Sequence, residues 1–303
     1  MNIVQKTIGG IDKFQRRHTP TAFIVAVVKK YSDDQAGYQA ALVTYYGFLA
    51  LFPLLLILTT VAGIVGQNNP EFGQKLVDSV TGYFPVVGQA LNDSVHGLNQ
   101  HGFALLIGLL FALYGARGIA DAFRHAVNHI WHVPMAKRSG FPRSLFRSIG
   151  LIIGGGGGFI LAAIVAGWTA SANRGWSSAV VSVLLNLLIL YLVFMFIFRM
   201  SLPLGVARKQ FRISAMICAL GIAALQTVGV AVLKHQSDHL ASTYSALFAT
   251  TLGLMAWIYL QIQVVMYATE IATVKDSKLW PRSLTGDNPT SVDQQFDKRK
   301  SLS

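Results

Sequence analysis

Six long apolar stretches divide the chain, at about Ala40 to Val65, Phe103 to Ala116, Ile149 to Ala170, Ala179 to Phe198, Ser214 to Leu233 and Leu247 to Thr269. A helix needs roughly 20 mainly apolar residues to cross a ~30 Å hydrocarbon core, and all but the second stretch meet that length outright. The second crosses if the polar-striped segment after it continues as helix with its polar side toward protein. The pattern predicts an all-α integral membrane protein with six transmembrane helices. Residues 1–39 form a cytoplasmic N-terminal segment, 40–273 the membrane domain, and 274–303 a polar cytoplasmic tail.

Shorter amphipathic patterns flank the spans. Phe23, Val27 and Tyr31 recur at helical spacing, with Ile24 and Val28 beside them and Lys29 and Lys30 following. This reads either as an interfacial helix on the inner leaflet or as a helix packed on the bundle. Between spans one and two, Phe72, Leu76 and Val80 form one stripe, and Val87, Leu91, Val95 and Leu98 form another, with Pro85 between them. An outer helical hairpin at about 67–101 fits, as a structural cap or as a lid. The tail mixes Ser, Asp, Gln and Lys. Such composition buries too little apolar surface to order itself, so a disordered tail is expected.

Charge orients the bundle. With the N-terminus inside, 22 of the 25 Lys and Arg fall on cytoplasmic segments, leaving only Lys75, Arg174 and Lys234 outside. Basic flanks of short loops stay cytoplasmic, so both termini are placed inside, in a multi-pass protein of the bacterial inner membrane. The net charge of +12 then reflects orientation and contact with anionic lipid head groups, and it does not argue for nucleic acid. The first apolar run, Ala22 to Val28, is too short for a cleavable signal, so the first span doubles as the targeting signal. The single cysteine, Cys218, lies within span five and excludes an internal disulfide or a cysteine metal cluster.

Ionisable groups within a span cost ~2.5 to 3.5 kcal/mol at the bilayer centre and need a partner or a watery cavity. Arg117 in span two and Glu270 at the end of span six are expected at similar depth, and an Arg117–Glu270 pair is the preferred arrangement. Asp121, four residues from Arg117, is the local alternative. A polar stripe continues through Arg124, His125, Asn128 and His132 on one helix. Asp121, His125 and His129 also have one-face metal spacing, as a weak candidate; His235, Asp238 and His239 form a weaker one. Span six carries Tyr259, Gln263, Tyr267 and Glu270 on one side. Span one adds Thr44, Tyr45, Tyr46 and then Pro53, whose missing amide favours a kink. These features suit either a polar cavity between spans one, two and six or polar contacts within a packed bundle. Gly154 to Gly158 form a hinge or a close-packing surface. They are not a phosphate loop, because no Gly-Lys-Ser/Thr follows.

At these residues the chain resembles the YihY/BrkB family of bacterial inner-membrane proteins. The matching pieces are Ala40 to Tyr46 (AALVTYY) running to Leu51-Phe-Pro53, the Arg117 region with Val127 to Trp131 (VNHIW), and Leu254 to Tyr259 (LMAWIY) leading to Ala268-Thr-Glu270. The family more usually carries Gly-Ala-Glu where Thr269 stands here. The resemblance implies labels that diverge: ribonuclease, serum resistance or virulence, and lipid or lipopolysaccharide traffic. The scattered carboxylates fit a nuclease poorly.

The preferred expectation is a transporter of a lipid or other amphiphile, without enzyme activity or cofactor. Its polar path uses Tyr45, Tyr46, Pro53, Arg117, Asp121, Asn128, Gln263, Tyr267 and Glu270, with Arg117 attracting phosphate and Glu270 balancing it or gating by protonation. The alternative is a non-catalytic scaffold or envelope regulator; a metal-dependent hydrolase is the third reading. Membrane lipids are the expected partners, and self-association is left open.

Overall fold

The computed structural model describes residues 12, 14–51, 102–138, 140–162, 165, 176–203, 206–236, 243–284 and 289–300. Every long regular element among them is helical: α1 Thr19–Asp33, α2 36–51, α3 Gly102–Ile130, α4 Arg143–Gly150, α5 Trp176–Ser201, α6 Arg208–Gln236, α7 Thr243–Ser277 and α8 Ser291–Lys300. Four segments are long and apolar enough to cross a membrane: Arg143–Ala162, Val180–Ser201, Lys209–Thr227 and Thr251–Ser277. They coincide with the third to sixth apolar stretches. Pro53, the outer hairpin at 67–101, and Asp238 and His239 lie outside the described residues. The short second apolar stretch opens α3, a single helix of 29 residues that carries the polar stripe to Ile130.

Helix α7 packs on α1, α3 and α6, while α5 packs on α3, α4 and α6. The core centres on aromatic residues. Phe198 lies 6.4 Å from both Phe123 and Phe211, ring centre to ring centre, and joins α5 to α3 and α6. The opposite side of α5 is apolar and exposed, at Val181, Leu184, Leu188 and Leu192. A surface like this is costly in water and natural against lipid tails.

Small residues set the closest helix approaches. A methyl group added at Gly118 would come within 2.5 Å of the Tyr46 ring, so α2 and α3 meet there almost backbone to side chain. In the glycine run, a π-helical turn spans Leu151–Gly156. Added carbons at Gly154 and Gly158 would collide with Phe196 and Val193 of α5, whereas those at Gly156 and Gly157 meet nothing. One side of the run is therefore a packing surface.

Two expectations are altered. Helix α1 turns Ala22, Ala26, Val27 and Lys30 inward and leaves Ile24 and Val28 exposed, so it packs on the bundle while presenting an outward apolar edge. The tail is not disordered over its described part. Leu279 and Phe296 bury beside Ala26, Val27 and Val274, and α8 forms near the chain's end. Average composition underestimated it because two apolar anchors suffice once α1 and α7 have built their docking surface.

Candidate functional site

The site forms where α1 stops. The backbone N–H of Asp34 donates to the Lys30 carbonyl, Gln35 takes a positive φ of 51°, and the chain turns into α2. Lys30 follows Ala22 and Ala26 at four-residue spacing, so the inward stripe of small residues delivers its side chain into the bundle. Its Nζ donates to Asp34 Oδ2 at 2.5 Å, Glu270 Oε2 at 2.7 Å and the Ile130 carbonyl at 2.9 Å. An ammonium has three donors, and all are used. Lys30, Asp34 and Glu270 are each 0% exposed. The Ile130 carbonyl ends α3, where the helix dipole favours a cation.

Around this trio lie unpartnered atoms. Asp34 Oδ1, Glu270 Oε1 and both ring nitrogens of His132 are buried without a hydrogen-bond partner. His132 Nε2 stands 3.5 Å from Asp34 Oδ1, too far for a well-formed hydrogen bond. Burial pushes His132 down to about 4, with Asp34 opposing and Lys30 assisting, so the ring is neutral at pH 7.

The terminal segments close over this centre. Phe296 of α8 meets His132 edge to face at 5.1 Å and takes the Arg282 guanidinium on its ring at 4.1 Å. Arg282 also pairs with Asp33 at 2.9 Å and Asp293 at 2.9 Å. Lys29 donates to the Ser283 carbonyl, and Gln15 Nε2 donates to the Arg282 carbonyl at 2.7 Å. Burial alone would raise the Asp293 carboxyl, but N–H donors from Ser283 and Thr290 hold it well below the usual range.

The predicted residues fall into separate groups. Gln263 and Tyr267 meet α1: Tyr31 donates to Gln263 Oε1 at 2.5 Å, Gln263 Nε2 donates to Tyr259, and the Tyr31 and Tyr267 rings stack 4.1 Å apart. Burial pushes the Tyr31 phenol up to about 12 and keeps it a donor. Asn128 is buried and ties α3 to α5 through the Ser201 carbonyl at 3.0 Å. Tyr46 packs on α3, while Tyr45 beside it is exposed.

Arg117 pairs with Asp121 at 3.5 Å, and its side chain is 57% exposed. The preferred Arg117–Glu270 pair is therefore not the one formed. Lys30 touches both the Ile130 carbonyl and Glu270, which sets Glu270 level with the end of α3. Thirteen residues separate Arg117 from Ile130, roughly 20 Å along a helix, so counting depth from the ends of apolar stretches misjudged their separation. Asp121 also accepts the Ser148 hydroxyl at 2.6 Å, and Arg124 donates to Ser148 and the Ser144 carbonyl.

Among the described residues, no group of three His, Cys, Asp or Glu is arranged to hold a metal, Asp121, His125 and His129 included. Lys30 and Asp34 were missed as site residues, and His132 was read only as part of the polar stripe that follows Arg117. Two signals pointed to the first pair: the Ala22, Ala26, Lys30 stripe and the four-residue spacing from Lys30 to Asp34. Helical spacing marked His132, but nothing local linked it to Asp34.

The family described as Virulence factor BrkB matches this chain over residues 27–287. Similar curated proteins include the inner membrane protein YhjD of Escherichia coli, 23% identical over 87% of this chain and 84% of that protein. A UPF0761 membrane protein of Chromohalobacter salexigens is 25% identical over 81% of this chain and 61% of its own length. A ribonuclease-like protein of Bacillus subtilis, YfkH, is 26% identical over 37% of this chain and 40% of its own length. No solved structure matches.

Proposed function

The chain belongs to the virulence factor BrkB family, and from that premise we propose that it is a non-enzymatic, multi-pass inner-membrane transporter that moves a lipid or other amphiphile along its lateral surface. Six spans with both termini cytoplasmic complete the reading. The mutual clamp of α1 with residues 279–300 supports an even number of crossings, since it puts both terminal segments on one face.

One observation carries the transport reading: Arg117 is exposed within a helix that otherwise offers Leu110, Phe111 and Tyr114 outward. Tyr114 is 75% exposed and lies about one turn from Arg117. A guanidinium facing lipid is stabilised by phosphate, which it binds through two parallel N–H donors. Asp121, one turn further along, is suited to release that phosphate by competing for Arg117. Tyr45 extends the polar edge from α2.

The test is reconstitution in vesicles with a fluorescent phospholipid. Wild-type protein is expected to accelerate transbilayer movement, and Arg117→Ala to slow it at least tenfold with unchanged thermal stability. Equal rates in protein-free and wild-type vesicles would overturn the reading. A scaffold is the second reading, favoured by the ordered terminal clamp on the basic face. It predicts no lipid movement and a stoichiometric partner lost on removal of residues 285–303.

A further inference from the structure

The Lys30 centre contains one ammonium and two carboxylates, all fully buried. His132 is its other near neighbour, and it is neutral through burial. Outside the trio, Lys29 and Arg282 hold Asp293, Arg282 also holds Asp33, and Lys300 donates to the Asp33 carbonyl at an exposed contact. Among the described residues, His129 near Asp34 and Tyr31 near Glu270 are further titratable groups, and burial favours the neutral form of each. Within the fully buried trio one negative charge is left over, and an uncompensated buried ion is strongly disfavoured. Two carboxylate oxygens there, Asp34 Oδ1 and Glu270 Oε1, have no donor.

We propose that this centre is a proton-binding site and that Glu270 carries the proton at neutral pH. Addition of one proton to Glu270 Oε1 makes the trio neutral and leaves the Lys30 contact to Oε2 in place. Lys30 lies closer to Asp34, at 2.5 Å, than to Glu270, at 2.7 Å, so the ion pair is assigned to Asp34 and the proton to Glu270. Glu270 lies within α7, flanked by buried Met266, Thr269 and Val274, with no helix start beside it. Phe296, seated on His132, covers the centre from the terminal side. The site does not depend on the lipid reading and stands if that reading fails.

The sequence makes a direct test simple, because Glu71 and Glu270 are its only glutamates. Infrared spectra of the purified full chain at pH 7 are compared with and without carbon-13 in the glutamate side-chain carboxyl. The expected result is a protonated-carboxyl band that shifts with the label, persists in Glu71→Gln and is lost in Glu270→Gln. An unlabelled-like spectrum, or a band that disappears in Glu71→Gln, would overturn the proposal. Thermal melting gives a second readout. Gln copies the shape of a protonated Glu, so Glu270→Gln is expected to melt within a few degrees of wild type. A drop as large as that of Lys30→Met would mean that Glu270 is ionised.

Discussion

Glu270 Oε2 accepts a hydrogen bond from Lys30 Nζ at 2.7 Å across 240 positions of sequence. That contact joins α1 to α7, and α3 enters it through the Ile130 carbonyl. Three elements far apart in sequence thus meet at one nitrogen atom. A change at Lys30 is therefore felt in all of them.

Lys30→Met should destabilise the protein by about 3 to 5 kcal/mol, since it leaves the buried Asp34 carboxylate without its cation. Chemical denaturation of the purified protein measures this. A loss below about 1 kcal/mol would show that the pair contributes little.

The glycine run separates packed from open positions. Gly154→Leu and Gly158→Val insert side chains where α5 already stands, and overpacking of this kind costs about 1 to 3 kcal/mol. Gly156→Ala and Gly157→Ala meet no atom and should be neutral or stabilising by up to about 1 kcal/mol. Melting temperatures of the four variants should fall into two groups; a uniform response would argue that the run acts as a hinge.

Phe296→Ala removes the ring that covers His132 and receives Arg282. The tail should then be cleaved by trypsin at least tenfold faster at its Lys298 to Lys300 cluster, while the membrane helices stay protected. Arg282→Ala should do the same, because it also breaks the pairs with Asp33 and Asp293. Unchanged cleavage in both variants would rule out the clamp.

The pH dependence follows from His132, whose ring sits at about 4 rather than its ordinary 6.5 because it is buried. Below pH 6.5 an opened form takes up a proton that the closed form resists. The stability His132 contributes is therefore complete above about pH 6.5, declines as pH falls toward 4, and changes no further below. Hydrogen-exchange protection at the end of α3, corrected for the intrinsic rate at each pH, should fall across that window, and His132→Gln should flatten the change. Asp293 acts lower still, because its carboxyl is held below the ordinary 3.8 and its contribution is lost only as pH falls beneath that value.

Span positions were legible in the sequence because they follow from a local quantity, the run of apolar residues needed to cross a hydrocarbon core. The third to sixth stretches could be read in this way, while the family resemblance rested on short motifs such as Ala40 to Tyr46 and Val127 to Trp131. Arg117 and Asp121 were also legible as a pair, because four-residue spacing on a helix is local geometry. The order in the tail was not: Phe296 and Leu279 are isolated apolar residues in a polar segment, and only the surface made by α1 and α7 gives them somewhere to bury.

The Lys30 centre was decided by tertiary structure alone. Lys30 resembles any basic residue flanking a membrane, and Glu270 any acid at a span's end. What makes them a site is that α1 turns its small-residue side toward α7, which leaves Lys30 only Asp34, Glu270 and the Ile130 carbonyl to bond. Sequence set the length and charge of the pieces; packing determined which charges had to meet, because burial removes the solvent that would otherwise have satisfied them separately.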